Sequence, residues 1–271
     1  MIDIHSHILP GIDDGAKTME ETLGIVSQLQ QSGFKTLIAT PHVLEDNFLS
    51  PADILAYTEQ VRKRVAEAGI QIEILPGSEN YIFPEMAKWV RDGKLMTLGN
   101  TGKYILVELP MLEIPQYTDQ VFFELQVNGL TPVLAHPERN RKLVENPERL
   151  LEWARKGIFF QMNLRSLDGR YGPQSKGLAE ILLDSNLIHF IGSDAHRVSR
   201  RESTYPETLQ SVRDLVGESR FQELTVINPK NILSGQGMQC SGEYVLIEPV
   251  IKKRKQRFWN RLKVAFSKGR C

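Results

Sequence analysis

At 271 residues the chain is long enough for one large α/β domain with a full core. Its 33 basic and 33 acidic side chains cancel, but nine of the basic ones and no acid lie from Ile251 onward, so the first 250 residues carry about nine net negative charges, which argues against broad nucleic-acid binding. No run of eighteen apolar residues could span a membrane, no basic-then-apolar leader opens the sequence, and Cys240 and Cys271 make no disulfide framework, so the expectation is a reduced, cytoplasmic protein.

The first fifteen residues, MIDIHSHILPGIDDG, organise the chain. Ile2 and Ile4 alternate with Asp3 and His5 at the period of a strand, and Pro10-Gly11 ends the segment. In extended backbone His5 and His7 point the same way and can grip one ion, with Asp13, Asp14 and Gly15 following on a loop. A helix is expected over 18–32, then the strand TLIATPH (36–42) delivers His42 at its C-terminal end. A second helix over 52–68 stops at Gly69. The strand IQIEIL (70–75) leads through PGSE to Glu79. Residues 81–100 are less regular, with a short helix over 85–91 and a small strand over 95–98. KYILVELP (103–110) places Glu108 near a strand end, 118–128 is helical, and LTPVLAHPERN (130–140) carries His136 out at its C-terminal end. A helix over 147–156, the strand IFFQMN (158–163), a helix over 175–184 and the apolar strand LIHFIGSDAH (187–196) complete the series, the last ending at Asp194 and His196.

About seven alternations of strand and helix, with several strands apolar on both faces, predict a parallel α/β architecture. The polar residues with chemical potential recur just past strand C-terminal ends. Their spread over nearly every strand favours a closed or nearly closed barrel over an open sheet with a single switch point. Of the six histidines, 5, 7, 42, 136 and 196 lie at such junctions, while His189 sits inside a strand and reads as a core residue. With Asp14, Glu79, Glu108 and Asp194 they make nine nitrogen and oxygen donors without a cysteine, more than one ion needs and suited to two or three ions sharing a bridging carboxylate. Taken singly, Glu79 reads as a loop acid and Asp14 as a turn or cap residue. The shared edge of the sheet is what makes them a site.

The segments HSHILPGIDDG, TPH, PGSE, VELP, AHPERN and GSDAH, in this order and spacing, resemble the polymerase-and-histidinol-phosphatase (PHP) superfamily over residues 1–235. Within it they are similar to the bacterial branch of manganese-dependent protein-tyrosine phosphatases that act in capsule and exopolysaccharide regulation. The resemblance implies a distorted seven-stranded (β/α) barrel, TIM-like, with a three-metal centre. By that match His5, His7 and Asp194 hold the first ion, and Glu79 bridges to a second completed by Glu108 and His136. Asp14, His42 and His196 hold the third. Glu108 stands where the wider superfamily often has histidine, and it makes the site harder and better suited to Mn²⁺. Two to three Mn²⁺ ions are therefore expected.

For phosphate-monoester hydrolysis Arg139, three residues past His136, can reach back and hold phosphoryl oxygens; the competing reading is a surface arginine paired with Glu138. The family pattern suggests Arg201 as a second arginine, with Arg197 and Arg200 as rivals. Cys240, followed by SGEYVL, is no thiol nucleophile, and no GxxxxGK[ST] loop is present. The implied substrate is the phosphotyrosine-bearing tail of a membrane-bound polysaccharide-biosynthesis kinase. Alternatives are a small-molecule phosphatase of the histidinol-phosphate type, a nuclease or amidohydrolase on the same kind of barrel, and a non-catalytic metal-binding regulatory domain.

The barrel is assigned to residues 1–249 and a basic tail to 250–271. In the tail Phe258, Leu262, Ala265 and Phe266 share one helical face beside Trp259, and basic residues fill the remainder. A segment of this kind suits peripheral contact with an anionic membrane at the inner face. A kinase-docking or nucleic-acid-binding tail is the alternative.

Overall fold

Short β-branched and aromatic runs, cut off by glycine and proline, become parallel strands here, and the amphipathic stretches between them become the covering helices. The computed structural model describes residues 1–46, 48–199 and 204–238. In chain order the strands are β1 (Ile2–Ser6), β2 (Thr36–Ala39), β3 (His42–Val43), β4 (Glu73–Pro76), β5 (Glu79–Tyr81), β6 (Tyr104–Glu108), β7 (Thr131–Ala135), β8 (Phe159–Asn163) and β9 (Phe190–Gly192). The helices are α1 (Met19–Gln31), α2 (Pro51–Glu67), α3 (Met86–Arg91), α4 (Thr118–Val127), α5 (Arg141–Glu145), α6 (Glu148–Arg155), α7 (Pro173–Asp184), α8 (Thr204–Gln222) and α9 (Asn228–Leu233). Local chemistry sets several boundaries. Thr18 caps α1 by accepting from the Glu21 N–H, and Ser50 with Asp53 forms a capping box on α2, with Pro51 as its first residue.

β2 and β3 are one passage of the chain broken at Thr40-Pro41, and β4 and β5 another broken at Gly77-Ser78. The nine segments therefore make seven passages. Proline has no N–H to continue a ladder, and Gly77 has no room for a side chain, since a Cβ there would lie 2.7 Å from Ile38 Cγ2. The breaks divide the strands into a sheet of order β1-β2-β4 and one of order β3-β5-β6-β7-β8-β9, every pair parallel. At the far side the sheet curls back: the His7 N–H donates to the Ala195 carbonyl (3.0 Å), and the Asp194 N–H to the His5 carbonyl (2.9 Å). The result is a curled, partly closed parallel barrel, the fold expected from the alternation of elements.

Alternation along each strand sorts two apolar layers. Ile4, Ile38, Tyr104, Leu106, Val133, Ala135, Phe159 and Phe190 pack together inside the curl. Leu37, Ile105, Val107, Leu134, Phe160 and Ile191, of opposite parity, join the helices in the larger outer cluster. Truncating an inner side chain such as Leu106 to Ala would cost about 2–5 kcal/mol. The same parity carries Glu108, two residues past Leu106, onto the inner face at the strand's end. In β1 the register against β2 shifts between Asp3 and Ser6, which takes up the odd residue between the Ile2/Ile4 pair and the His5/His7 pair.

Some elements differ from expectation. Leu95, Met96 and Leu98 are buried, but 95–98 pairs with neither sheet, and 98–100 is a 3₁₀ turn with Gly99 at φ 64°. The last strand is cut to Phe190–Gly192 because Asp194 turns left-handed at φ 50°. α5, α8 and α9 have no counterpart in the sequence-based expectation. Among the described residues no helix is long and apolar enough to cross a membrane. The basic tail lies outside the described residues.

Candidate metal centre

The ends of β1, β3, β5, β6, β7 and β9, with the loop after β1, bring all nine expected donors to one mouth of the barrel. Glu79 is at its middle. Its Oε2 lies 3.2 Å from His5 Nε2, 3.2 Å from His7 Nε2 and 3.1 Å from His42 Nδ1, and its Oε1 lies 2.9 Å from His136 Nε2. Asp194 Oδ1 is 3.5 Å from Nε2 of both His5 and His7 and 3.3 Å from His196 Nδ1. Asp14 Oδ1 stands 3.2 Å from His196 Nε2 and 3.4 Å from His42 Nε2. Glu108 is 3.5 Å from His42 Nδ1 and 3.8 Å from His136 Nε2.

Ligand atoms within 4.8 Å of one another form four overlapping groups: His5 with His7 and Asp194; His5 with Glu79 and His136; His42 with Glu79 and Glu108; and His7 with Asp14, His42 and His196. The first group is the expected triad. Glu108 falls with His42 rather than in the His136 group, and His7 joins the outermost group as a fourth member. Arg201 and its rival Arg200 lie outside the described residues, and the other rival, Arg197, is exposed.

Three observations show that these residues fit a bound cation. Gln161 Oε1 sits 2.8 Å from His5 Nδ1 and Asp13 Oδ2 sits 2.7 Å from His7 Nδ1, which assigns the ring protons to the Nδ1 atoms. Both Nε2 lone pairs then face each other at 3.1 Å, an arrangement that repels unless positive charge lies beside them. Second, Glu79 Oε2 is fully buried without a hydrogen-bond donor. Third, the buried Glu79 and Asp194 carboxylates both crowd His5 Nε2, at 3.2 and 3.5 Å. Burial and the Glu79 charge hold the Glu108 carboxyl up at about 8. The pocket has more buried negative charge than its own cations neutralise, and a divalent ion removes that excess.

A second layer holds the donors in place. Gln161 Nε2 donates to Asn163 Oδ1 (2.9 Å), and Asn163 Nδ2 donates to Asp194 Oδ2 (2.5 Å). Gly192 makes room for this row, since a Cβ there would lie 2.7 Å from Gln161 Nε2. Glu138 is buried and accepts from the Asn163 N–H (2.9 Å) and the Ser166 hydroxyl (2.6 Å), so it is not the surface partner of Arg139. Instead Arg139 Nη1 reaches Asp194 Oδ2 at 2.8 Å, and the guanidinium lies over the Tyr171 ring, 4.3 Å from its centroid. His136 and Asp194 both have positive φ, 31° and 50°, a strained backbone typical of functional positions.

Asp13, Gln161, Asn163 and Tyr171 were not anticipated in these roles. Gln161 and Asn163 had a signal: they are polar at alternate positions of the otherwise apolar run IFFQMN, and so point inward together. Tyr171 had none. His189 is a core residue: Nδ1 accepts the Phe160 N–H at 3.1 Å, and the ring meets Phe159 edge-on at 4.6 Å.

Comparison with known proteins identifies the family. The family profile described as capsular polysaccharide synthesis, CpsB/CapC, matches residues 1–234. The tyrosine-protein phosphatase YwqE of Bacillus subtilis is 40% identical over 210 residues, covering 77% of this chain and 82% of YwqE. The tyrosine-protein phosphatase CpsB of Streptococcus agalactiae serotype III is 31% identical over 239 residues, covering 86% of this chain and 98% of CpsB. A structure from a study of B. subtilis YwqE and Streptococcus pneumoniae CpsB, described as unique metal-dependent tyrosine phosphatases, superposes with TM-score 0.82 at 36% identity, covering 88% of this chain and 96% of that one. With two-thirds and more of each protein aligned and the profile running from the first residue through α9, the chain belongs to the CpsB/CapC/YwqE family of metal-dependent tyrosine phosphatases, which has a PHP-like fold and is linked to capsule and exopolysaccharide regulation.

Proposed function

We propose that the protein hydrolyses phosphotyrosine on the tail of a polysaccharide-biosynthesis tyrosine kinase, using two to three Mn²⁺ ions held by the nine donors. The observation that carries this reading is Glu79, a buried carboxylate within 3.2 Å of four imidazoles and with an oxygen that no donor satisfies. His5, His7 and Asp194 would hold one ion; Glu79, His136 and Glu108 a second; Asp14, His42 and His196 a third. The all-nitrogen-and-oxygen set, four of its members carboxylates, is hard and suits Mn²⁺. When bound, such ions supply a water acidified toward neutral pH and positive charge opposite the phosphoryl oxygens.

The chain's own residues do the rest. Gln161 and Asp13 keep the ring protons on the Nδ1 atoms of His5 and His7, so that both Nε2 atoms stay available as donors. Arg139 is pinned by Asp194 on one side and by the Tyr171 ring on its face, which leaves the rest of its fork to orient phosphoryl oxygens. A phenolate leaving group, with pKa near about 10, needs less protonation than an alkoxide, so the absence of an assigned general acid matters less for phosphotyrosine than for phosphoserine.

Comparing kcat/KM on phosphotyrosine and phosphoserine versions of one peptide tests this reading. The expected result is strong preference for phosphotyrosine, loss of activity with chelator and best recovery with Mn²⁺, with two to three ions per chain by elemental analysis. Equal rates would return the small-molecule and broad-specificity readings. For residues 250–271 the proposal is a separate amphipathic tail that binds anionic membrane. Cosedimentation with anionic vesicles should fall on truncation after Pro249, while equal pelleting of both forms would rule it out.

A further inference from the structure

Because every strand pair is parallel, the segments leaving the C-terminal strand ends share one face of the molecule with the candidate ligands. Those segments divide by charge. After β3 (44–50), β5 (82–85) and β6 (109–117) the chain carries Glu45, Asp46, Glu85 and Glu113 and neither lysine nor arginine. The segments after β7, β8 and β9 carry Arg139, Arg165, Arg170 and Arg197 together with Glu138, Asp168 and Asp194, and Arg165 is paired with Asp168 at 2.9 Å. One flank of the mouth is acidic; the other carries both signs, with Arg139 against the candidate ligand Asp194.

The acidic flank is also aromatic, and it begins at the metal centre. The Ile82 N–H donates to the Glu108 carbonyl (2.9 Å), and the Tyr117 hydroxyl donates to the Ile82 carbonyl (3.3 Å), so Tyr81 and Tyr117 flank a candidate ligand. From there Phe83 meets Trp89 at 4.9 Å, and Phe48 meets Trp89 edge-on at 5.3 Å. Phe48 is 43% exposed and Leu112, on the β6 segment, is 68% exposed. Glu45, Asp46, Glu85 and Glu113 lie on the same three segments as Phe48, Phe83, Leu112 and Tyr117.

Resting on the phosphotyrosine-phosphatase reading, we propose that this shelf seats the polypeptide next to the phosphotyrosine and selects flanks that carry a basic side chain. The phosphoryl group, doubly negative, belongs on the Arg139 side. A polypeptide leaving the mouth then crosses the opposite side, where Lys or Arg satisfies both features at once. Its apolar stem packs on Phe48 and Leu112 while its charge lies among the carboxylates and near the tyrosine faces, the Trp89 ring being already covered by Lys94 at 5.2 Å. A glutamate at the same place meets four like charges. Such rim charges act on encounter and partner choice more than on the chemical step, and salt screens them.

The test uses the full chain with Mn²⁺ and two phosphotyrosine peptides that differ only in carrying Lys or Glu at the two positions on either side of the phosphotyrosine. The expected kcat/KM is about tenfold higher for the lysine peptide at low salt, falling to within about twofold at about 0.5 M salt. In the double variant Glu45→Lys/Glu113→Lys the preference should vanish or invert. Each peptide rate is divided by the rate on a free aryl phosphate in the same preparation, so that any damage to the centre cancels. Equal rates on the two peptides, or a preference unchanged in the double variant, would overturn the shelf and leave the phosphatase reading standing. An enzyme that hydrolyses the aryl phosphate but neither peptide would overturn both.

Discussion

The inner and outer parts of the metal centre use the same residue types in different surroundings. His5, Glu79, His136 and Asp194 have side chains no more than 4% exposed, whereas His42 and His196 are about a quarter exposed and Asp14 is 71% exposed. Three of the four are also held by a neighbour: Gln161 fixes His5, Asn163 and Arg139 fix Asp194, and the strand ladder fixes Glu79. Among the described residues Asp14 is paired with the imidazoles of His42 and His196 alone. A buried carboxylate loses water on folding and recovers that free energy from a cation, so the inner groups form a pre-organised cage. An exposed one keeps its water and would hold an ion weakly. The expectation is a tight inner pair of ions and a labile outer one.

The largest effect should come from the inner part. Glu79→Gln keeps the shape but removes the shared charge, and should lower kcat by at least about 10³-fold with loss of more than one ion by elemental analysis. Loss of a single ion with most activity retained would break the contrast. Arg139→Ala should lower kcat on an aryl phosphate by about 10²–10³-fold with the ion content unchanged. If occupancy collapses instead, the arginine serves Asp194 rather than phosphate.

His189 separates burial from ligation. It is buried like the inner histidines, but burial, aided by the Arg220 charge, drives it down to about 3. At pH above about 6.5 it is neutral folded and unfolded and contributes no pH dependence. As pH falls below about 6.5 the unfolded chain takes a proton that the folded ring refuses, so stability is lost progressively towards pH 3. The loss is about 2 kcal/mol at pH 5. Urea unfolding of His189→Gln should show a decline between pH 7 and 5 smaller by about that amount. An identical decline would mean that His189 is protonated without cost.

The outer part should respond mildly and reversibly. Asp14→Asn should reduce activity about tenfold at limiting Mn²⁺ and recover when the metal is raised, because one exposed ligand contributes about 1–2 kcal/mol of site affinity. Irreversible loss would place Asp14 with the inner cage. The smallest effect belongs to Tyr171, which acts through Arg139 as a positioning residue. Tyr171→Leu should cost about 5–10-fold in kcat/KM while Tyr171→Phe, which keeps the ring face, should restore most of it. A deficit equal in both variants would point to the hydroxyl instead.

Much of this was legible in linear order. The alternation of strands and helices, the parallel pairing and the placement of His5, His42, Glu79, Glu108, His136 and Asp194 at strand ends all follow from period-two apolar runs ending in polar residues. Their side chains had to meet because a curled parallel sheet brings all C-terminal strand ends to one mouth.

What the sequence determined by itself was therefore the strand parity and the supply of donors, since both depend on local backbone geometry and residue chemistry. Only the tertiary structure decided that Glu79 lies between four imidazoles, that Glu108 stands nearer His42 than His136, that Asp13 and Gln161 set the histidine tautomers, and that Tyr171 backs Arg139. These contacts join residues up to 156 positions apart, as in His5 and Gln161, and sub-ångström packing of a closed sheet selects them. Local propensity carries no information about such distances.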